Sequence, residues 1–255
     1  YKAKYEALDF SDKKSVDTIN NWISQSTRKK IDKMIDNIDN DDNGFVDDYM
    51  GWDFVGNISY NDAVQNKFKP DNNCKPLVST NSHGTHTAGI IAAESNNKIG
   101  ISGVSFNCKF MPVKVGMDDM ETPNGSSDIF FGYEAVLYCV RMGCDIINMS
   151  WEVLGYSPIE EEIIDYAAQS GVVLVAAAGN SNLWSDKFKT YPAQYPGVIT
   201  VGAVDEFEKK SSFTNFGYEV DIYAPGSSIY STLPNSSYGN KSGTAVTCRH
   251  PRGSA

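Results

Sequence analysis

Basic residues are scarce in this chain. Lysine and arginine total 22 against 32 aspartates and glutamates, a formal net charge of -10. Binding nucleic acid requires a cationic face that neutralises phosphates, so a general nucleic-acid partner is not expected. Long apolar runs are missing too. No stretch approaches the roughly 20 residues of a membrane-crossing helix, so no transmembrane span is expected. No secretory leader pattern stands at Tyr1. Cysteines number five (Cys74, Cys108, Cys139, Cys144 and Cys248) and contain no C-x-x-C pair, which removes the usual thiolate zinc site. Cys139 and Cys144 read as small buried hydrophobes, and disulfide pairing stays open. With 255 residues and 41% hydrophobic content, the chain can bury the core of one large domain.

Apolar residues recur at helical spacing at Val16, Ile19 and Ile23, then at Ile31, Met34, Ile35 and Ile38, predicting two short amphipathic helices within residues 11–37. A short strand is expected over residues 4–8, ending at Asp9. Strands are expected over 110–115, 145–150, 172–177 and 198–201. Helices are expected from His83 to Ala93, over 127–140, and from Pro158 to Ser170. The last is announced by Ser157-Pro158-Ile159-Glu160, a capping box with proline at its first position, and stops at Gly171. Continuous apolar strands alternating with helices predict a doubly wound, mostly parallel sheet.

Four segments carry chemistry. They are Asn81-Ser82-His83-Gly84-Thr85-His86-Thr87-Ala88-Gly89, then Ala176-Ala177-Ala178-Gly179-Asn180, then Ala224-Pro225-Gly226, then Ser242-Gly243-Thr244-Ala245. In this order and spacing they resemble the subtilisin-like serine proteases, over a span from about Asp39 to Ala245. The resemblance implies a subtilisin-like three-layer α/β fold with a central, mostly parallel sheet. It implies His83 as the base, Asp9 as the carboxylate orienting it, and Asn180 as a side-chain donor to the oxyanion. The region around Asp9-Phe10-Ser11 matches poorly, because the glycine that lets the strand turn is missing. The nucleophile position holds Ala245, where the family reads S-G-T-S-M-A-x-P-H. A methyl group cannot attack a carbonyl.

The resemblance also implies a cleft in which a peptide lies as an added strand. One edge reads S-L-G-G in the family and Ser150-Trp151-Glu152-Val153 here. Ala177 and Gly179 would line the primary specificity pocket on the other side. Secretion or a cell-surface location is implied by the family alone.

A separate signal is acidic. Asp39, Asp41, Asn43, Phe45 and Asp47 stand at alternate positions with Gly44 at the sixth, as in an EF-hand calcium loop. Side chains of the first three and of Asp47 would bind, with the Phe45 carbonyl. Position twelve holds Met50 instead of glutamate, so Asp48 is the substitute.

Two functional expectations follow for a single, monomeric domain over 1–255, divergent over 1–60, with an atypical tail over 245–255. The first is a catalytically dead domain that binds a protein or peptide ligand. The second is a calcium-dependent serine endopeptidase in which the nucleophile has been replaced.

Overall fold

The structure is a computed structural model, which describes residues 36–76, 81–105, 107–117 and 128–247. Asp9, the strand expected over 4–8, most of the region expected to form the two N-terminal helices, and the tail beyond Thr247 lie outside the described residues. The chain divides into two units, Tyr1–Gly51 and Trp52–Ala255.

In the larger unit the elements follow in order as β1 (Trp52–Asp53), α1 (Tyr60–Val64), α2 (His83–Ala92), β2 (Val113–Lys114), α3 (Gly132–Arg141), β3 (Ile146–Met149), β4 (Val153–Leu154), α4 (Pro158–Gln169), β5 (Val173–Ala177), β6 (Thr190–Tyr191), β7 (Val198–Val204), β8 (Ile222–Pro225), β9 (Ile229–Leu233) and β10 (Ser237–Lys241). The main sheet has the order β3-β5-β7-β8, and every pairing in it is parallel. Register sets Met149 beside Ala176, Ala177 beside Val201, and Val201 beside Ile222.

Strand β5 is apolar throughout because both its faces are covered. Side chains alternate across a strand, so Val175 and Ala177 share one face. There they form a buried cluster with Val201 and Ala245, flanked by Ile199, Ile222 and Ala224. Leu174 and Ala176, both fully buried, occupy the opposite face. Helix α4 packs against β5 and α3, while α2 packs against β9 and the turn Thr244–Val246. Helices and sheet make the three-layer α/β arrangement expected from the alternating pattern.

Local differences have physical causes. The strand expected over 110–115 shrinks to β2, which pairs only with β1, and Phe110 is exposed. A buried ion pair, Lys114 Nζ to Asp53 Oδ2 at 2.7 Å, joins those two strands. Helix α3 starts at Gly132, later than expected, because Ile129 is held in an isolated bridge to Gly116. At α4, Ser157 accepts from the Glu160 amide as a cap should. The reciprocal half of the capping box is taken over by Tyr195. Its hydroxyl accepts from the Ser157 amide at 3.2 Å and lies 2.9 Å from the Glu160 carboxylate, to which it donates.

In the smaller unit, the described residues form an acidic turn followed by a single 3-10 turn, Asp48–Met50.

Candidate active site

The parallel strands end at a corner built by Gly179 and Asn180, at the carboxyl end of β5, where open α/β sheets place their sites. The Thr244 backbone amide donates to Asn180 Oδ1 at 2.8 Å, and Thr244 Oγ1 donates to the same atom at 3.1 Å. A backbone N–H can only donate, so the oxygen of the Asn180 side chain is fixed by chemistry. Nδ2 is therefore left as the available donor on an exposed side chain. Thr244 Oγ1 also accepts from the Gly179 amide at 3.1 Å. One buried hydroxyl thus holds both residues of the corner.

The next residue is Ala245, which is 8% exposed and packed into the core cluster. The turn carrying it approaches the end of β8 closely. A Cβ on Gly226 would lie 2.2 Å from Thr247 Cγ2 and 2.9 Å from the Gly243 carbonyl, and the Gly243 amide donates to the Gly226 carbonyl at 2.9 Å. The glycine of Ala224-Pro225-Gly226 is what lets the turn seat there.

His83 opens α2, the helix packed on the same turn. The residue is exposed to solvent. Dehydration lowers its pKa below the ordinary imidazole value, helped by the Lys241 charge and by His86. His86 is fully buried. Its Nε2 donates to the Ile229 carbonyl at 2.9 Å and lies 3.3 Å from the Gly239 carbonyl, tying α2 to the β9–β10 hairpin. Those bonds make Nε2 the protonated nitrogen, and Nδ1 is buried without a hydrogen-bond partner.

The opposite wall, residues 150–153, is built differently. Ser150 Oγ donates to the Ala245 carbonyl at 3.1 Å and accepts from Asn148 Nδ2 at 2.8 Å, so its hydroxyl supports the turn. Trp151 packs edge-on against Tyr133, 6.5 Å between centroids, and over Gly132. Glu152 reaches the corner itself. The Asn180 amide donates to its Oε1 at 3.2 Å, and Asn215 Nδ2 to its Oε2 at 3.5 Å. Gly179 has φ +108°, and a Cβ there would fall 1.7 Å from Glu152 Oε2. Ala177 faces the core cluster beneath Ala245.

Asn215 is a residue supporting the corner that the sequence does not mark. It is fully buried, and its Oδ1 accepts from the Ser181 and Leu183 amides at 3.1 and 2.9 Å. Its Nδ2 donates to the Ala178 carbonyl at 2.8 Å, and its own amide donates to the Gly179 carbonyl. The loop that presents Asn180 is strung on this one side chain. Nothing in Phe213-Thr214-Asn215-Phe216 marks it, because a buried asparagine is defined by partners remote in sequence.

In the smaller unit, Asp39 accepts from the Gly44 and Asn43 amides at 2.7 and 3.2 Å. The Gly44 amide, ahead of other effects, holds its carboxyl below the usual range. Asn43 Nδ2 donates to Asp41 Oδ2 at 3.2 Å and to Asp48 Oδ2 at 3.0 Å. Partial dehydration first, and the Asp48 charge besides, push the Asp41 carboxyl up. Asp47 turns elsewhere, accepting from the Asp36 and Asn37 amides at 3.0 and 2.9 Å. The Phe45 amide donates to Asn43 Oδ1 at 2.8 Å. Among the described residues no group of three acidic, histidine or cysteine side chains is arranged to hold a metal. No helix among them is long and apolar enough to cross a membrane.

The oriented amide at the end of β5 and the helix that starts with His83 both pack on the Thr244–Val246 turn. The chain belongs to the Subtilase family, whose profile matches residues 11–248. It is a subtilisin-like protease domain. It is 37% identical over 209 residues to a thermophilic serine proteinase of Bacillus sp. (strain AK1), covering 82% of this chain and 48% of that protein. It is 37% identical over 206 residues to thermitase of Thermoactinomyces vulgaris, covering 80% and 65%. The chain spans about half the length of several curated relatives it matches. Among solved structures, a cold-adapted subtilisin-like serine proteinase superposes with a TM-score of 0.58 at 31% identity, over 71% of this chain and 60% of that one. A serine-to-alanine mutant of the protease domain of PatA superposes with a TM-score of 0.59 at 26% identity, over 69% and 64%.

Proposed function

We propose that this domain binds an extended peptide and, as written, does not cleave it. The observation that carries the reading is the pairing of Asn180 with Thr244. The asparagine amide is locked with its N–H donor outward, as an oxyanion site needs, and the residue that follows Thr244 is alanine. In this reading Asn180 Nδ2 takes a peptide carbonyl, and His83 stands ready to accept a proton that no nucleophile offers. Asp9 orients His83. Without a nucleophile, binding and the oxyanion donors leave only about 10³–10⁴-fold over water.

Calcium at the Asp39–Asp48 loop belongs to the same proposal. The hard oxygen donors suit that ion, and two carboxylates, Asp41 and Asp48, converge on the Asn43 amide. Asp39, Asp41, Asn43, Asp48 and the Phe45 carbonyl would hold it, and Asp47 would not. The ion would offset the crowded negative charge, and no step of peptide binding passes through it. A secreted or cell-surface setting is proposed on family grounds.

The second reading is an active endopeptidase with its serine replaced. The chain's similarity to a thermophilic serine proteinase supports it. Hydrolysis of a quenched fluorescent peptide library separates the two. The parent chain should show no turnover. Turnover by Ala245→Ser, abolished by His83→Ala, would establish that the rest of the machinery works and that only the nucleophile is missing. Turnover by the parent chain that His83→Ala abolishes would overturn the proposal.

A further inference from the structure

Glu152 holds a position in the corner that its neighbours do not neutralise. Its carboxylate lies directly over Gly179, in the space any other residue's Cβ would fill. Two neutral donors reach it, the Asn180 amide at 3.2 Å and Asn215 Nδ2 at the long distance of 3.5 Å. A carboxylate offers about four lone-pair sites, so acceptor capacity remains, and the residue is open to solvent. Among the described residues no lysine or arginine lies within ion-pairing distance of it. Partial dehydration pushes its carboxyl up, against the Asn180 bond. A negative charge with its hydration reduced and no cation beside it is poised to take one.

The charge sits beside the candidate oxyanion donor. Glu152 Oε1 is bonded to the backbone amide of the residue whose side chain presents Nδ2. On the peptide-binding reading, a residue whose carbonyl meets that Nδ2 would place its own side chain in the neighbouring space over Gly179. An apolar side chain would meet a carboxylate there and dehydrate it further, at a cost. A long cationic side chain would meet a partner.

We propose that Glu152 is a specificity-determining residue, which selects a peptide with arginine or lysine at the position whose carbonyl Asn180 receives. This rests on the peptide-binding reading above. Arginine is preferred, since its planar fork can bond both carboxylate oxygens.

The test is fluorescence anisotropy with short labelled peptides made in matched pairs, arginine in one and citrulline, its neutral isostere, in the other. Charge-assisted bonds to a partly dehydrated carboxylate should make the arginine peptide bind about tenfold tighter or more. The preference should shrink as salt rises. In Glu152→Gln the ratio should collapse towards one, through loss of arginine binding, with citrulline binding little changed. A melting curve confirms that the variant is folded. Equal binding of both peptides by the parent chain would overturn this inference and leave the peptide-binding reading standing. Tighter citrulline binding in Glu152→Gln, with arginine binding unaltered, would also overturn it, by showing that the carboxylate plugs the corner. Binding of neither peptide would overturn both readings.

Discussion

The two walls of the candidate site are held in opposite ways. The Gly179–Asn180 corner is fixed from behind, by Thr244 and Asn215, both fully buried with their side chains bonded to the corner's backbone and to Asn180. The facing wall, residues 150–153, is tied at its ends. Ser150 is bonded to the Ala245 carbonyl, and Val153 pairs with Tyr191 across β4 and β6, while Glu152 between them is solvent-exposed and reaches the corner only with the tip of its side chain. The difference shows where change is tolerated. A residue whose partners are buried constrains every atom near it, whereas one that projects into a cleft can be exchanged. Gly179-Asn180 in the first wall carries the family resemblance, and residues 150–153 in the second depart from it.

The comparison breaks most severely at Gly179. Its φ of +108° is a conformation that L side chains rarely adopt, and a Cβ there would also lie 2.2 Å from Asn215 Nδ2. Glu152 can swing aside, because it is the exposed end of a flexible side chain. Asn215 cannot move without losing its bonds to Ala178, Ser181 and Leu183. Gly179→Ala should therefore cost about 3–5 kcal/mol, from backbone strain of about 1–3 and the lost bonds. For a chain of this size that is a fall of about 10 °C in melting temperature. A variant that melts with the parent would show that the corner is as yielding as the opposite wall.

Thr244→Val should act less strongly. It preserves shape but removes the acceptor for the Gly179 amide and one of two donors to Asn180 Oδ1. A buried donor left without a partner costs about 1–3 kcal/mol, read as a melting shift of about 5 °C. Peptide affinity should fall as well, since Asn180 then keeps only the Thr244 amide to orient it. Unchanged affinity beside lowered stability would separate the hydroxyl's role in the fold from any role in the site.

Legibility followed the same division. Segments whose side chains meet backbone nearby, such as His83 at the start of α2 and the run into Gly179-Asn180, could be read from residue order. The parallel sheet was legible because β5 and β7 are apolar on both faces. The β9–β10 hairpin was not, since Ser231, Thr232 and Tyr238 carry no apolar alternation and are held by bonds to α2 and to each other's strand. Asp47 fits the spacing of a calcium loop and still turns to other amides, because spacing fixes which residues are near and not which way they face. In the sequence Glu152 stands only as a departure from the S-L-G-G edge of the family. Only the tertiary approach of two loops shows that its carboxylate uses the room Gly179 leaves.

Glu152 itself should give the smallest stability effect, and its sign is informative. Dehydration raises its carboxyl above the ordinary 4.5. Relative to the unfolded chain, the folded state thus favours the protonated form. The associated stability is fully present below the unfolded value and is lost as pH rises through the folded one. At neutral pH the ionised side chain is a net burden on the fold, reduced by its exposure to less than about 1 kcal/mol. Glu152→Gln keeps an oxygen for the Asn180 amide and removes the charge. It should melt about 1–2 °C above the parent at pH 7, and the gain should disappear below pH 4.5. A lower melting temperature at pH 7 would mean that the charge supports the corner. The second wall would then be structural like the first, and its rewriting would owe nothing to what the cleft binds.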